Sequence, residues 1–259
     1  MDDGELQKRA DEVATRIGKA RKRILFVTGA GLSAESGLPT YRGIGGLYEG
    51  GETEDDMPIE QALSGPVFRR APTVTWRHIG RLEQAVRGAQ PNRGHRIIAE
   101  LEELHDVVVL TQNVDGLHRA AGSRRVIDIH GDCRELLCTA CEHREHRESY
   151  AGLRLPPTCP SCGAVLRPDV VLFGEMLPSK KVDDLYRELE RGFDAYFSIG
   201  TTSVFPYIAE PILQAARLGR LTVEINPGRT EVSRIVDVKF DCGAARALSA
   251  IFDAHIMSS

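Results

Sequence analysis

Residues 24–42, ILFVTGAGLSAESGLPTYR, decide how the rest of the chain is read. Residues 24–27 form a short aliphatic and aromatic run after a basic segment, the pattern of a buried strand entering a sheet. Gly29, Gly31 and Gly37 follow, with Ser33 and Ser36 among small residues. A strand that breaks into Gly-x-Gly lets backbone N–H groups come close to a pyrophosphate, because no Cβ intervenes. A tight strand-to-helix turn uses the same two glycines, so the stretch alone leaves a dinucleotide site and a plain turn both open.

The chain has 259 residues, 42% of them apolar, enough for one large α/β domain or for a main domain with a smaller insertion. No run of 18 apolar residues occurs, and the charged first 23 residues lack the apolar core of a secretory signal. A cytoplasmic protein with reduced cysteines, not spanning a membrane, is therefore expected. A formal charge of −4 provides no global attraction to nucleic acid or to an anionic membrane.

Leu6, Ala10, Val13 and Ile17 recur three or four apart, which predicts an amphipathic helix over about residues 6–20. Residues 43–58, GIGGLYEGGETEDDMP, read as a long loop close to whatever the glycine stretch binds. Helical spacing returns over 59–86, broken at Ser64-Gly65-Pro66 and Ala71-Pro72, so two or three short helices are expected. A helix over 95–104 precedes an apolar strand at 107–110 that ends in TQNVDGLH (111–118), and a strand at 126–129 ends in His130-Gly131. Later strands at 195–199 and 221–225 end in GTTSVFP (200–206) and NPG (226–228), with helices over 208–218 and 244–254. Strands alternating with helices predict an α/β fold with a doubly wound parallel sheet. In such a sheet ligands bind beyond the carboxyl ends of strands, where Asn113, Asp115 and His130 fall.

Four of the six cysteines form Cys138-x2-Cys141 and Cys159-x2-Cys162, separated by residues 142–158. Each knuckle presents two thiolates to one metal, and two knuckles complete a closed tetrahedral zinc site with a structural role. The surrounding segment is polar and proline-rich, with too little apolar content to fold without its ion. Two disulfides would require an oxidising compartment, at odds with a cytoplasmic chain. His143 and His146 are rival ligands in principle, but the four-cysteine set is already complete. Arg144, Arg147 and Arg154 lend a zinc ribbon some positive charge, which Glu142, Glu145 and Glu148 largely cancel, so direct nucleic-acid binding is not expected. Cys133 and Cys242 read as small buried residues.

Taken together, GAGLSAESGLPTYR (29–42), PNRGH (91–95), TQNVDGLH, His130-Gly131, the two cysteine pairs, RPDVVLFGE (167–175), GTTSVFP and Asn226 resemble the sirtuins, NAD-dependent protein-lysine deacylases. The resemblance runs nearly end to end. It implies a Rossmann-like large domain (1–42, 98–132 and 166–259) and a smaller zinc-binding and helical domain built from insertions at 43–97 and 133–165. It implies that Gly29, Ala30 and Gly31 approach the pyrophosphate of NAD, while Ser33, Ser36, Gly37, Tyr41 and Arg42 help position it. Gln112, Asn113 and Asp115 would line the nicotinamide and ribose pocket, with Asn113 and His130 as the catalytic pair. Gly200, Thr201, Thr202 and Asn226 would hold the adenosine half, and Cys242 and Gly243 would touch adenine. Val171, Phe173, Gly174 and Glu175 on one side, and Ser203 and Val204 on the other, would sandwich an acyl-lysine peptide as an added strand. An imidazole titrating near pH 6.5 suits His130 to the task of general base. The products implied are free lysine, nicotinamide and O-acyl-ADP-ribose, with structural zinc remote from the chemistry. His95 and His118 are assigned to helix and loop packing.

Pro39-Thr40-Tyr41-Arg42 departs from the Pro-Asp-Phe-Arg of many sirtuins and resembles the branch that removes succinyl, malonyl and glutaryl groups. That branch binds the distal carboxylate with a Tyr-x-x-Arg pair. Counting back from Pro91 without a gap places Ile79 and Leu82 at those positions, and neither can pair with a carboxylate. A preference for acetyl or longer uncharged acyl groups is therefore expected, although Arg77 and Arg81 lie near enough for a shifted helix to restore acid binding. Three rival functions remain. A dehydrogenase would place an acidic ribose ligand at a second strand end, whereas the acidic residues here fall in the 43–58 loop. A mono-ADP-ribosyltransferase would use the same NAD site, and a non-catalytic binding module would have no use for Asn113, Asp115 and His130 together.

Overall fold

Burial of both faces explains the strands at the centre of the molecule. The computed structural model describes residues 1–40 and 55–257; Tyr41, Arg42 and most of the 43–58 loop lie outside this range. The chain runs α1 (Asp3–Ile17), β1 (Arg23–Thr28), α2 (Ala30–Ser33), α3 (Ile59–Ala62), α4 (Gly65–Arg70), α5 (Pro72–Val86), α6 (Arg93–Glu100), β2 (Asp106–Thr111), α7 (Leu117–Ala120) and β3 (Val126–Asp128). It continues β4 (Gly131–Cys138), β5 (Arg144–His146), β6 (Leu166–Val170), α8 (Ser179–Glu190), β7 (Ala195–Ile199), α9 (Pro206–Arg217), β8 (Leu221–Ile225), β9 (Val238–Phe240) and α10 (Ala244–Met257). One sheet has the order β3-β2-β1-β7-β8-β9 with every pairing parallel. Leu25 stands beside Val108 on one flank and Tyr196 on the other.

Alternate residues of β1 serve opposite faces. Ile24 and Phe26 join residues of α1, α6 and α10 in one apolar cluster, whereas Leu25 and Val27 pack with Leu185 of α8 and Ile208 and Ile212 of α9 in another. A parallel sheet covered on both sides in this way produces continuous apolar strands instead of alternating ones. Local signals set the helix starts. Asp2 accepts the Glu5 N–H at the head of α1, Ser64 that of Val67 in α4, and Asn92 that of His95 in α6.

A second sheet, β5-β4-β6, is antiparallel and packs with α4 and α5 around Phe68, Trp76, Leu136 and Leu166. The Trp76 indole donates to the Leu166 carbonyl at 2.8 Å, tying the helical segment to the cysteine segment. The three helices α3, α4 and α5 account for the helical spacing over 59–86. β6 pairs with β4, so residues 166–170 lie in this smaller sheet. The sequence reading omits helix α8, although Val182, Leu185 and Leu189 form an apolar stripe against the sheet, and it omits β5 and β9, which at three residues are too short for periodicity to register.

Candidate active site

β1 and β7 are neighbours from which the chain departs in opposite directions, to β2 and β3 on one side and to β8 and β9 on the other. The crevice beyond their carboxyl ends is the topological switch point of the sheet, the place where such folds bind ligands. Gly29 and Gly200 follow the last residues of these two strands. The Gly29 N–H donates to the Ile199 carbonyl at 3.0 Å and the Gly31 N–H to the Gly200 carbonyl at 2.9 Å. A Cβ on Gly31 would lie 2.6 Å from the Gly200 Cα, and Gly200 itself has a φ of 60°. Two of the amides that the sequence offered to a pyrophosphate thus tie the turns together, and the glycines permit that close approach. Ala30 opens α2 at the mouth of the crevice, and Gly37 ends the short turn after α2 with a φ of 83°.

Around this turn pair lies a polar network. The Asn113 amide donates to the Gly29 carbonyl and to Ser33 Oγ, both at 3.1 Å. Ser33 Oγ donates in turn to Asp115 Oδ2 at 2.7 Å, and Asp115 Oδ1 accepts the Leu117 N–H at 3.0 Å. Burial pushes the Asp115 carboxyl above its ordinary value, with the Leu117 and Ser33 hydrogen bonds opposing it. His95 Nε2 lies 3.5 Å from Ser33 Oγ, and His118 Nε2 is 2.9 Å from Thr28 Oγ1. The two rings meet edge to face at 5.0 Å, and burial keeps both neutral, lowering the pKa of His95 to about 4. These histidines do pack, as expected, but they also back the site. The contact spans 62 residues between His95 and Ser33, so no local pattern signals it.

The adenosine-side candidates are likewise linked. Gln112 donates to Thr201 Oγ1 at 2.7 Å and Asn226 to the Thr201 carbonyl at 3.1 Å, and Thr202 is exposed beside them. Ser36 accepts from the Asn92 amide at 3.0 Å. Cys242 is buried at the foot of α10, and Gly243 approaches Glu35, whose carboxylate accepts the Ala245 N–H at 3.0 Å.

His130 follows β3. Its Nδ1 lies 3.0 Å from the Gln112 carbonyl, its Nε2 2.7 Å from the Tyr207 hydroxyl, and its own carbonyl accepts the Val171 N–H at 2.8 Å. Burial lowers its pKa below 6.5, the Gln112 hydrogen bond pulling the other way and the Lys181 charge adding to the lowering. Beyond it, Arg167 grips Glu175 through both terminal nitrogens at 2.7 and 2.8 Å, and Glu175 also accepts the Leu172 N–H, which fixes the bend at Phe173 and Gly174. The Phe173 N–H donates to the Leu63 carbonyl and its carbonyl accepts the Gly65 N–H, both at 3.0 Å, so both groups are engaged within the chain. After β7, Ser203 takes a φ of 57°, and Val204 is left 43% exposed.

The sulfur atoms of Cys138, Cys141, Cys159 and Cys162 all lie within 4.8 Å of one another, with Cys138 to Cys162 at 3.4 Å and Cys141 to Cys159 at 3.6 Å. Disulfides are about 2.05 Å long, so these thiols are unbonded. Four thiolates about 2.3 Å from a tetrahedral zinc stand about 3.8 Å apart, so the cluster fits a closed structural zinc.

A sequence profile of the Sir2 family matches residues 29–206, from the first glycine of the turn to the proline that opens α9. The chain belongs to the Sir2 family. It is 53% identical over 231 residues to NAD-dependent protein deacylase 2 of Pseudomonas aeruginosa, covering 88% of this chain and 90% of that one. It is 37% identical over 231 residues to the NAD-dependent protein deacylase of Aquifex aeolicus, covering 89% and 94%. A solved Sir2 homolog–NAD complex shares 34% identity and a TM-score of 0.82 over 100% of this chain and 95% of its own. A Sir2–p53 peptide–NAD+ complex shares 27% identity and a TM-score of 0.79 over 99% and 100%.

Within this Sir2 chain, Ile79 is buried among the apolar residues of the small sheet, and Leu82 is half-buried against the same cluster. Arg77 pairs with Asp55, which also receives His78 Nε2 at 2.9 Å. Tyr207, just inside α9, stands beside His130 although the sequence reading does not mark it. Among the described residues, no helix is long and apolar enough to cross a membrane.

Proposed function

We propose that this chain is an NAD-dependent protein-lysine deacylase that prefers acetyl or longer uncharged acyl groups to succinyl and releases nicotinamide and O-acyl-ADP-ribose. The observation that carries this reading is the convergence, at the switch point, of the Asn113–Ser33–Asp115 network with a neutral, oriented imidazole at His130. The donor set suits NAD. Hydroxyl and carboxylate groups at Ser33 and Asp115 match ribose hydroxyls, Ala30 at the start of α2 and Ser36 at the end of the turn after it match phosphates, and Gly200, Thr201, Thr202 and Asn226, with Cys242 and Gly243, match the adenosine half. Tyr41 and Arg42, expected to help position NAD, lie outside the described residues. The small domain is then the product of the two insertions, one helical and one zinc-binding.

When bound, NAD supplies a ribose carbon that becomes strongly electrophilic as nicotinamide leaves. Asn113 and Asp115 orient the reacting ribose, and the buried setting of Asn113 excludes water from it. His130 holds Nδ1–H on the Gln112 carbonyl, which leaves Nε2 as the basic nitrogen. A proton released from a ribose hydroxyl after nicotinamide has departed ends on that nitrogen. Exposed Val204 and the bend held by Glu175 offer the two walls between which a peptide would lie as an added strand. Burying an acyl carboxylate against Ile79 and Leu82 would leave it unpaired, which should weaken binding roughly a hundredfold.

Mass spectrometry of products from NAD with acetyl-, succinyl- and long-chain acyl-lysine peptides, beside a His130→Ala control, tests the reading. Acyl loss that needs NAD and disappears in the control is expected. A succinyl peptide processed faster than an acetyl one would sink the acyl preference. Radiolabel from NAD that stays on protein, with no acyl loss, would point to ADP-ribosyl transfer instead.

A further inference from the structure

The 2.7 Å contact between His130 Nε2 and the Tyr207 hydroxyl has a defined direction. The Gln112 carbonyl can only accept, so Nδ1 carries the ring proton and Nε2 presents a lone pair. The Tyr207 hydroxyl therefore donates to Nε2, and its own oxygen keeps lone pairs free to accept a further proton. Phe205 holds the phenol in place, stacked at 5.5 Å and 15°, and meets the His130 ring edge-on at 6.1 Å. Both His130 and Tyr207 are only partly buried, so the pair is open to solvent on one side.

Resting on the deacylase reading, we propose that Tyr207 is a proton-relay residue that holds His130 in register and passes the substrate hydroxyl proton to it. The O–H bond of the substrate hydroxyl breaks as the phenol oxygen takes its proton, and the phenol O–H breaks as Nε2 takes the phenolic proton. The electron pair stays on the substrate oxygen, the phenol is regenerated, and the imidazole is left protonated. A phenol suits this role because burial pushes its pKa up to about 12, so it stays protonated while it donates. Charged and titratable groups facing His130 are few. Lys181 approaches from α8 but is bound to Asp128, with its Nζ 2.8 Å from the Asp128 carbonyl and 3.0 Å from Oδ1, and Tyr207 approaches from α9.

The test is Tyr207→Phe, which removes one oxygen and keeps the ring, with unchanged thermal stability as the check on folding. NMR titration of the His130 ring needs no substrate. Loss of a hydrogen bond donated to the neutral form should raise its pKa by roughly 0.5 to 1 unit. Deacylation kcat should fall about 10- to 100-fold with KM little changed. Nicotinamide exchange, which precedes the proton transfer, should stay within about twofold. An unshifted titration, an unchanged kcat, or an equal loss of exchange and deacylation would each overturn the proposal. Wild-type protein that deacylates no peptide would overturn the preceding reading, and the titration would then still decide whether Tyr207 holds His130.

Discussion

His130 must be neutral to accept a proton, and burial lowers its pKa below 6.5. Activity governed by this group is therefore full above that value and fades as pH falls through the lowered pKa. The acidic limb of kcat/KM for an acetyl peptide should lie below pH 6.5, and a limb above it would contradict the assigned environment. His130→Ala should lower deacylation about 10²- to 10⁴-fold, the usual contribution of a general base, while leaving NAD affinity nearly intact. The candidacy of His130 was legible because it ends an apolar run and precedes a glycine. Tyr207 was not, since its partner lies 77 residues away and nothing in the local pattern distinguishes it from any other residue at a helix start. For His95 the sequence showed only packing: its helical position signals burial, and only the packing of α6 beside α2 brings it to Ser33.

Among the elements, the turn after β1 and the cysteine knuckles carry the firmest expectations. Gly31→Ala would set a Cβ 2.6 Å from the Gly200 Cα, a backbone atom that cannot swing aside. A loss of about 1–3 kcal/mol of stability is expected, read by denaturant unfolding, together with weakened NAD binding because the two turns are pushed apart. Full retention of both would show that the turns can separate freely. Removing zinc with a chelator should unfold β5 and the segment around the four cysteines, seen as a loss of protection in hydrogen exchange there, while β1, β2 and β7 stay protected. The cysteine spacing made the ligand set readable without coordinates. The partner strands of the knuckles were not readable, because β5 is only three residues long and β6 pairs with a distant β4 with irregular register between Asp132 and Leu136.

At the scale of the whole molecule, four histidines are buried: His95, His118, and the His105–His255 pair at 3.0 Å. All four have lowered pKa values, with burial the largest cause, and those of His95 and His105 fall to about 4. The unfolded chain takes up protons at these rings near pH 6.5 and the folded chain does not. Their contribution to stability is present above that pH and is lost as pH falls toward about 4. Melting temperature should drop across this window, and His105→Leu should flatten the slope; an identical slope would exclude the pair as a source. The alternation of strands and helices, the helix caps at Asp2, Ser64 and Asn92, the four thiol ligands and the polar strand ends at Asn113, Asp115 and His130 were all determined by the sequence itself. Each of these depends on neighbours within a few residues, where periodicity, capping and ligand spacing act. Only the tertiary structure decided that β1 lies against β7, that Gly31 closes on Gly200, and that Tyr207 reaches His130. Parallel pairing joins strands through long crossovers, and its partners are selected by the packing of the whole sheet, which leaves no mark on any single stretch of chain.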